Sequence, residues 1–371
     1  MSRVQDVAVY SARVGRARAA MASAGVDALV LSVGSDLPWL TGYHAMPLER
    51  LTLLVLPREG DATLVIPRLE APRVTPMPGV FSLAPWNETD DPIALSDRLL
   101  GGAATVAVGE QMWSRFLVDL VNARPATRWV RSNVVMSDLR MRKDAAEVAA
   151  LAAAAAAADR VAAQLHAGEI ALVGRTEAQV SADISARLLA EGHDKVNFAI
   201  VAAGENAASP HHHPGDRVIG RGEIVLCDFG GTMDGYCSDI TRCVHTGPVP
   251  GDIAEAYAVL HRAQAAGVAA GRVGQTCESV DAVTREVIAA AGYGEWFVHR
   301  TGHGIGMEEH EDPYMVSGNT LPIAPGHAYS VEPGIYVPGR WGMRLEDIVV
   351  ATEEGPVALN KADHSLVVVD C

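Results

Sequence analysis

Gly222-Glu223-Ile224-Val225-Leu226-Cys227-Asp228-Phe229-Gly230 and Gly326-His327-Ala328-Tyr329-Ser330-Val331-Glu332-Pro333-Gly334 align at an offset of 104, glycine on glycine and Asp228 on Glu332. Each is an apolar run bounded by glycines, the pattern of a buried strand, and each carries an acid at the matched position. Helix starts recur in pairs ahead of both runs. Asp144 with Glu147 and Thr176 with Gln179 precede the first; Asp252 with Glu255 and Thr276 precede the second, with Gly192 and Gly292 as stops. An acid or amide three positions after the cap residue is a capping-box arrangement. Two similar halves, each with two helices before a sheet segment that carries a carboxylate, imply a pseudo-symmetric α+β core.

Outward from that core, residues 1–137 read as a separate α/β module and 138–371 as the repeated domain. Ser11–Ala24 has helical period, and Asp27-Ala28-Leu29-Val30-Leu31 is a short strand. The apolar runs 51–56 and 62–67 flank Pro57-Arg58-Glu59-Gly60-Asp61 as a hairpin. Pro38, Gly42 and Pro47 break the segment between the first two strands into an expected loop.

The 371 residues carry 30 Lys+Arg against 45 Asp+Glu, a net charge of −15. That balance argues against a nucleic-acid or anionic-membrane surface. Met1–Asp6 is followed by no apolar run and reads as no secretory leader. Leu151–Ala158 is the longest apolar stretch, short of the ~20 residues that span a bilayer, so no membrane partner is expected. Five cysteines, Cys227, Cys237, Cys243, Cys277 and Cys371, contain no CxxC pair. Free thiols in a reducing compartment fit that pattern, and the cytoplasm is the expected location.

Asp228 and Asp239 fall on two strand-like runs with Met233-Asp234-Gly235 as the turn, which sets the carboxylates across a hairpin. Buried acids that close together need a shared proton or a cation. His299, His303 and His310 stand among glycines in twelve residues, an arrangement suited to a close-approaching ligand. Glu332 is fixed by Pro333-Gly334, and Arg344-Leu345-Glu346-Asp347 opens the strand Ile348-Val349-Val350. Four carboxylates and one histidine suit paired Mn²⁺, Co²⁺, Fe²⁺ or Zn²⁺ better than one tetrahedral zinc. Two ions ~3.5 Å apart can share carboxylates and turn a bridging water into hydroxide near neutral pH.

Asp228-(x10)-Asp239, His303-(x6)-His310, Val331-Glu332-Pro333-Gly334 and Arg344-x-Glu346-Asp347, in this order, resemble the pita-bread metallopeptidases. Residues ~140–371 carry the resemblance, and 1–137 looks like the creatinase-type domain of the prolidase and aminopeptidase P branch. The resemblance implies that Asp228 chelates one ion, His303 and Glu332 hold the other, and Asp239 and Glu346 bridge both. It also implies that His211, from Ser209-Pro210-His211-His212-His213-Pro214, and His310 contact substrate, that His299 lines the pocket, and that Arg344 supports Glu346. The His211–His213 run leaves two neighbouring registers open; position after Pro210 favours His211.

The implied activity is metal-dependent hydrolysis of the Xaa-Pro imide bond, by an Xaa-Pro dipeptidase. Alternatives are an Xaa-Pro aminopeptidase acting on longer peptides, or a non-peptidase hydrolase of the creatinase or ectoine-hydrolase kind. Glu332 doubles as ligand and proton shuttle in this scheme. Many prolidases carry Arg shortly after the His-x-x-Pro segment, where this chain has Tyr314, a donor without charge. Asp36, His44 and Arg50 lie in the broken N-terminal segment, and Arg50 is the expected replacement anchor in its own or a partner subunit's site. A small peptide substrate, two divalent ions with Mn²⁺ first, and a homodimer complete the expectation.

Overall fold

A computed structural model describes residues 7–369, so Cys371 and the segment Met1–Asp6 fall outside the described residues. The chain divides into two units, Met1–Arg140 and Met141–Cys371.

The N-terminal unit is built on a six-stranded mixed sheet. From edge to edge it runs Ser82–Trp86, Thr63–Pro67, Leu53–Pro57, Ala28–Leu31, Thr105–Val108 and Arg128–Arg131. The expected hairpin is present, with Leu53 opposite Val65 and Val55 opposite Thr63. Val30, Leu53, Val55, Val65, Val106 and Leu120 form the buried centre. The segment expected as a loop instead contains the helix Asp36–Thr41. Pro38 sits in its first turn, where a missing N–H leaves no internal bond unmade, and Gly42 closes it in the left-handed region at φ 70°.

In the C-terminal unit the repeat seen in the sequence is a repeat of hydrogen bonds. Gly174 N–H donates to Ile219 O and Gly274 N–H to Ile323 O, each at 2.9 Å; Glu177 N–H donates to Arg217 O and Cys277 N–H to Leu321 O, each at 3.0 Å. Helices Ala145–His166 and Glu177–Ala190 precede the sheet that contains Lys195–Ala203, Ile224–Met233 and Ile240–His245. Helices Gly251–Ala270 and Cys277–Ala290 precede the sheet of Glu311–Met315, Gly302–Gly304, Ala328–Val331, Asp347–Thr352 and Gly355–Ala358. This is a pita-bread architecture with mixed α and β content.

The capping boxes at Asp144/Glu147 and Thr176/Gln179 are both closed in each direction. Their second-half counterparts are not. The third helix begins at Gly251 after Pro250, so Asp252 lies inside the first turn and pairs with Arg340 at 2.9 Å, and Thr276 makes no side-chain cap.

Helix Ala145–His166 is by length and composition apolar enough to cross a membrane, which counting only Leu151–Ala158 overlooks. Its face of Ala158, Val161, Ala162 and Leu165 packs with Val225, Cys227 and Val244 of the neighbouring strands, which accounts for the composition as that of a core helix. Cys227, Cys237, Cys243 and Cys277 are free and buried.

The glycines around His303 serve the sheet. A Cβ on Gly302 would stand 1.9 Å from Ser330 O, and one on Gly304 would stand 2.2 Å from Asp312 O. What approaches closely here is neighbouring backbone, where the sequence reading expected a ligand.

Candidate metal centre

Strand Ile224–Met233 turns at Asp234 and Gly235, both at positive φ (49° and 85°), as a two-residue hairpin requires. The returning chain is offset between Cys237 and Ile240, where Ser238 O lies 2.1 Å from the point a Gly230 Cβ would occupy. In consequence Asp228 faces Thr241 in the register, and Asp239 is its diagonal neighbour rather than its direct partner. The pair still shares one end of the sheet.

The second half brings the remaining groups to the same place. His303 is the middle residue of strand Gly302–Gly304, Glu332 follows strand Ala328–Val331, and Glu346 precedes strand Asp347–Thr352. Ligand atoms of Asp239, His303 and Glu346 lie within 4.8 Å of one another. His303 Nε2 is 3.2 Å from Glu332 Oε1 and 3.7 Å from Asp239 Oδ2. His303 Nδ1 meets Gly304 O at 3.1 Å, and a carbonyl can only accept, so the proton sits on Nδ1 and the Nε2 lone pair faces the acids. Ser330 Oγ accepts from His303 N–H and donates to Glu332 Oε1, both at 2.9 Å.

Burial sets the electrostatics. Asp228 is 7%, Asp239 4%, and Glu346 2% exposed. Loss of hydration pushes the carboxyls of Asp239 and Glu346 well above the usual range, and the charges of their acidic neighbours push the same way. Burial also lowers His303 to about 4, so its ring is neutral at pH 7. Asp228 Oδ1, Asp239 Oδ1 and Glu346 Oε1 are buried without a hydrogen-bond partner. Orphaned carboxylate oxygens beside a neutral imidazole lone pair are costly without a counter-charge, and they fit divalent cations with mixed oxygen and nitrogen donors.

Arg344 is the positive group built into this cluster. Its Nη2 donates to Asp228 Oδ2, its Nε to Thr241 Oγ1 at 3.1 Å and its Nη1 to Tyr336 OH at 2.7 Å. Thr241 Oγ1 in turn donates to Glu346 Oε2 at 2.6 Å. Arg344 has Asp228 as its direct partner and reaches Glu346 through Thr241. Tyr336 OH also meets His299 Nε2 at 2.9 Å, while His299 Nδ1 is held by Arg300 O at 2.7 Å.

These groups line a cavity of about 570 Å³ together with His211, His299, His310, Phe198, Ile200 and Arg300. Of the three consecutive histidines, His211 faces the cavity, while His212 Nε2 pairs at 2.8 Å with the fully buried Glu177. The His310 ring lies 3.9 Å from that of His303; desolvation by the pocket walls and the neighbouring ring lower it to about 4. Tyr314 does not line the cavity; its ring carries the Arg300 guanidinium at 4.4 Å.

The N-terminal residues are engaged within their own unit. Asp36 accepts from Arg140 at 2.9 Å and Ser132 at 3.1 Å, and Arg50 pairs with Glu49 and, at 2.7 Å, with Glu88. His44 is exposed. The Arg50 guanidinium thus holds two carboxylates of its own unit. Sequence reasoning missed Thr241, Tyr336, Arg300, Phe198 and Ile200. Only Arg300, three positions before His303, carried a local signal.

The fold and site define a class of protein, a two-domain metallopeptidase with a creatinase-type N-terminal domain. The pattern of metallopeptidase family M24 matches residues 144–353 and that of the creatinase/prolidase N-terminal domain matches 13–142. The chain belongs to metallopeptidase family M24, whose chemistry implies divalent metal ions. It is 46% identical over 373 residues to a probable dipeptidase PepE of Mycobacterium bovis, covering 99% of each chain. It is similar to the crystal structure of dipeptidase PepE from Mycobacterium ulcerans at 48% identity and TM-score 0.91, covering 98% of this chain and 99% of that one. A prolidase from Thermococcus sibiricus matches at 32% identity and TM-score 0.90, with 97% and 99% coverage.

Proposed function

We propose that this peptidase hydrolyses the Xaa-Pro bond of dipeptides, with Asp228, Asp239, His303, Glu332 and Glu346 holding two divalent ions, Mn²⁺ foremost. The carrying observation is the set of orphaned buried oxygens on Asp228, Asp239 and Glu346 beside the His303 lone pair. The names of the similar proteins, dipeptidase and prolidase, support the substrate class. When bound, the ions supply Lewis-acid activation of water and carbonyl.

The chain's own residues do the rest. The proline nitrogen of the scissile bond carries no N–H, so substrate is oriented through its carbonyl and its two termini. His211 and His310 line the cavity, where a ring N–H of each can donate to the oxygen that gains charge as the carbonyl is attacked. Glu332, anchored through one oxygen by Ser330, has the other free to take a proton from the attacking water and pass it to the leaving proline nitrogen. Arg344 fixes Asp228 and, through Thr241, Glu346, so the acids do not splay apart. Phe198 and Ile200 form an apolar wall suited to a proline ring or an apolar first residue.

The test is hydrolysis of Ala-Pro, Ala-Pro-Gly and Ala-Gly by Mn²⁺-loaded enzyme. The reading expects Ala-Pro to be cleaved fastest. Faster cleavage of Ala-Pro-Gly would assign an aminopeptidase, and cleavage of none would remove the Xaa-Pro reading.

A further inference from the structure

Arg300 lines the cavity, yet no carboxylate pairs with it among the described residues; its guanidinium rests on the Tyr314 ring at 4.4 Å. The neighbouring arginines are engaged. Arg344 holds Asp228, Arg285 holds Asp281, and the fully buried Arg242 holds Asp347. Glu309 lines the same cavity and still forms no ion pair with Arg300. Two divalent ions would offset the four acids of the metal cluster, which leaves the half-buried Arg300 cation at the cavity wall facing no carboxylate partner from the described residues.

We propose that Arg300, seated on Tyr314, receives the C-terminal carboxylate of the dipeptide and thereby sets the length of substrate accepted. This rests on the Xaa-Pro dipeptidase reading above. A guanidinium presents a planar fork that matches a carboxylate with two parallel hydrogen bonds. Stacking on an aromatic face leaves its N–H edges free, stabilises the cation and restricts its rotamers, so less freedom is lost when substrate binds. The Arg300 guanidinium lies across the ring of Tyr314, 14 positions further along the chain. A longer peptide places an amide where the carboxylate would be and loses the charged contact.

The experiment compares kcat/KM for Ala-Pro and for Ala-Pro amide, with Mn²⁺-loaded wild type, Arg300→Gln, Arg300→Lys and the double variant Arg300→Gln/Tyr314→Arg. One charge-assisted contact corresponds to roughly ten- to a hundredfold preference for the acid in the wild type. Arg300→Gln is expected to bring the acid-to-amide ratio close to one, chiefly through KM of the acid. The double variant, with a guanidinium returned at the neighbouring position, is expected to recover most of the preference. Arg300→Lys keeps the charge without the fork and is expected to lower the ratio by about threefold or more, which keeps the question open to measurement if the glutamine variant does not fold. An unchanged ratio in a variant that turns over overturns the assignment of Arg300 alone. A wild type that cleaves neither substrate overturns both this assignment and the dipeptidase reading beneath it.

Discussion

Arg344 and Asp228 are 116 positions apart in the chain and form a buried ion pair, which builds a cation into a cluster of four acids. The same guanidinium reaches Thr241, Tyr336 and the backbone of Pro210, so it joins both halves of the repeat at the site. Arg344→Ala leaves Asp228 buried and uncompensated, a change that typically costs about 3–5 kcal/mol. Arg344→Lys is expected to fare little better in activity, because one ammonium cannot hold this set of acceptors at once. Denaturant unfolding and Ala-Pro turnover of both variants measure this; wild-type activity in Arg344→Lys would show that charge alone suffices.

Removal of metal is expected to matter more at high pH than at low. Asp239 and Glu346 have folded-state pKa values raised above those of the unfolded chain. Their contribution to stability is full below the ordinary carboxylate range and is lost as pH rises through the raised values. Divalent cations compensate the ionised acids, so the thermal midpoint of chelated protein is expected to fall further below that of Mn²⁺-loaded protein at pH 8 than at pH 5.5. An equal difference at both pH values would count against burial of these carboxylates as the cause.

The consecutive histidines separate by role. His211→Ala removes a donor facing the cavity and is expected to lower kcat by roughly 10²-fold or more, with little change in melting temperature. His212→Ala leaves the fully buried Glu177 without its imidazole partner and is expected to cost about 1–3 kcal/mol in stability, with the loss seen in unfolding rather than turnover. The opposite assignment of losses would reverse the register.

Gly302→Ala tests whether strand contact positions His303. The added methyl meets Ser330 O at 1.9 Å, so backbone must move, and a cost of about 1–3 kcal/mol or more is expected. Mn²⁺ affinity measured by calorimetry should weaken with it, since His303 is the adjacent residue. Unaltered affinity would mean that the strand tolerates the shift.

The sequence shows most of the fold because the repeat is written in local features: Gly-bounded apolar runs, two closed capping boxes and an acid at the same place in each half. The five groups proposed as ligands were also readable, since Asp228 and Glu332 lie at matched places in the two runs and Asp239, His303 and Glu346 lie in short motifs spaced along the chain between and after them. The partners that orient them were not. Thr241 is an ordinary strand residue until the register sets it opposite Asp228, and Tyr336 is one apolar position among several until Arg344 and His299 close on its hydroxyl. Helix Asp36–Thr41 was hidden because Pro38 and Gly42 read as breakers, although their places in its first turn and at its C-terminal cap are where a helix accepts them. The pairing of Arg50 with Glu88, 38 positions away, has no local sequence signal.

The most direct measurement is anomalous diffraction from crystals grown with MnCl₂. Two manganese peaks a few ångström apart, with Asp239 and Glu346 between them and His303 and Glu332 on one side, are the predicted result. Absence of any peak near Asp239, His303 and Glu346, or peaks only at surface carboxylates, would contradict the account.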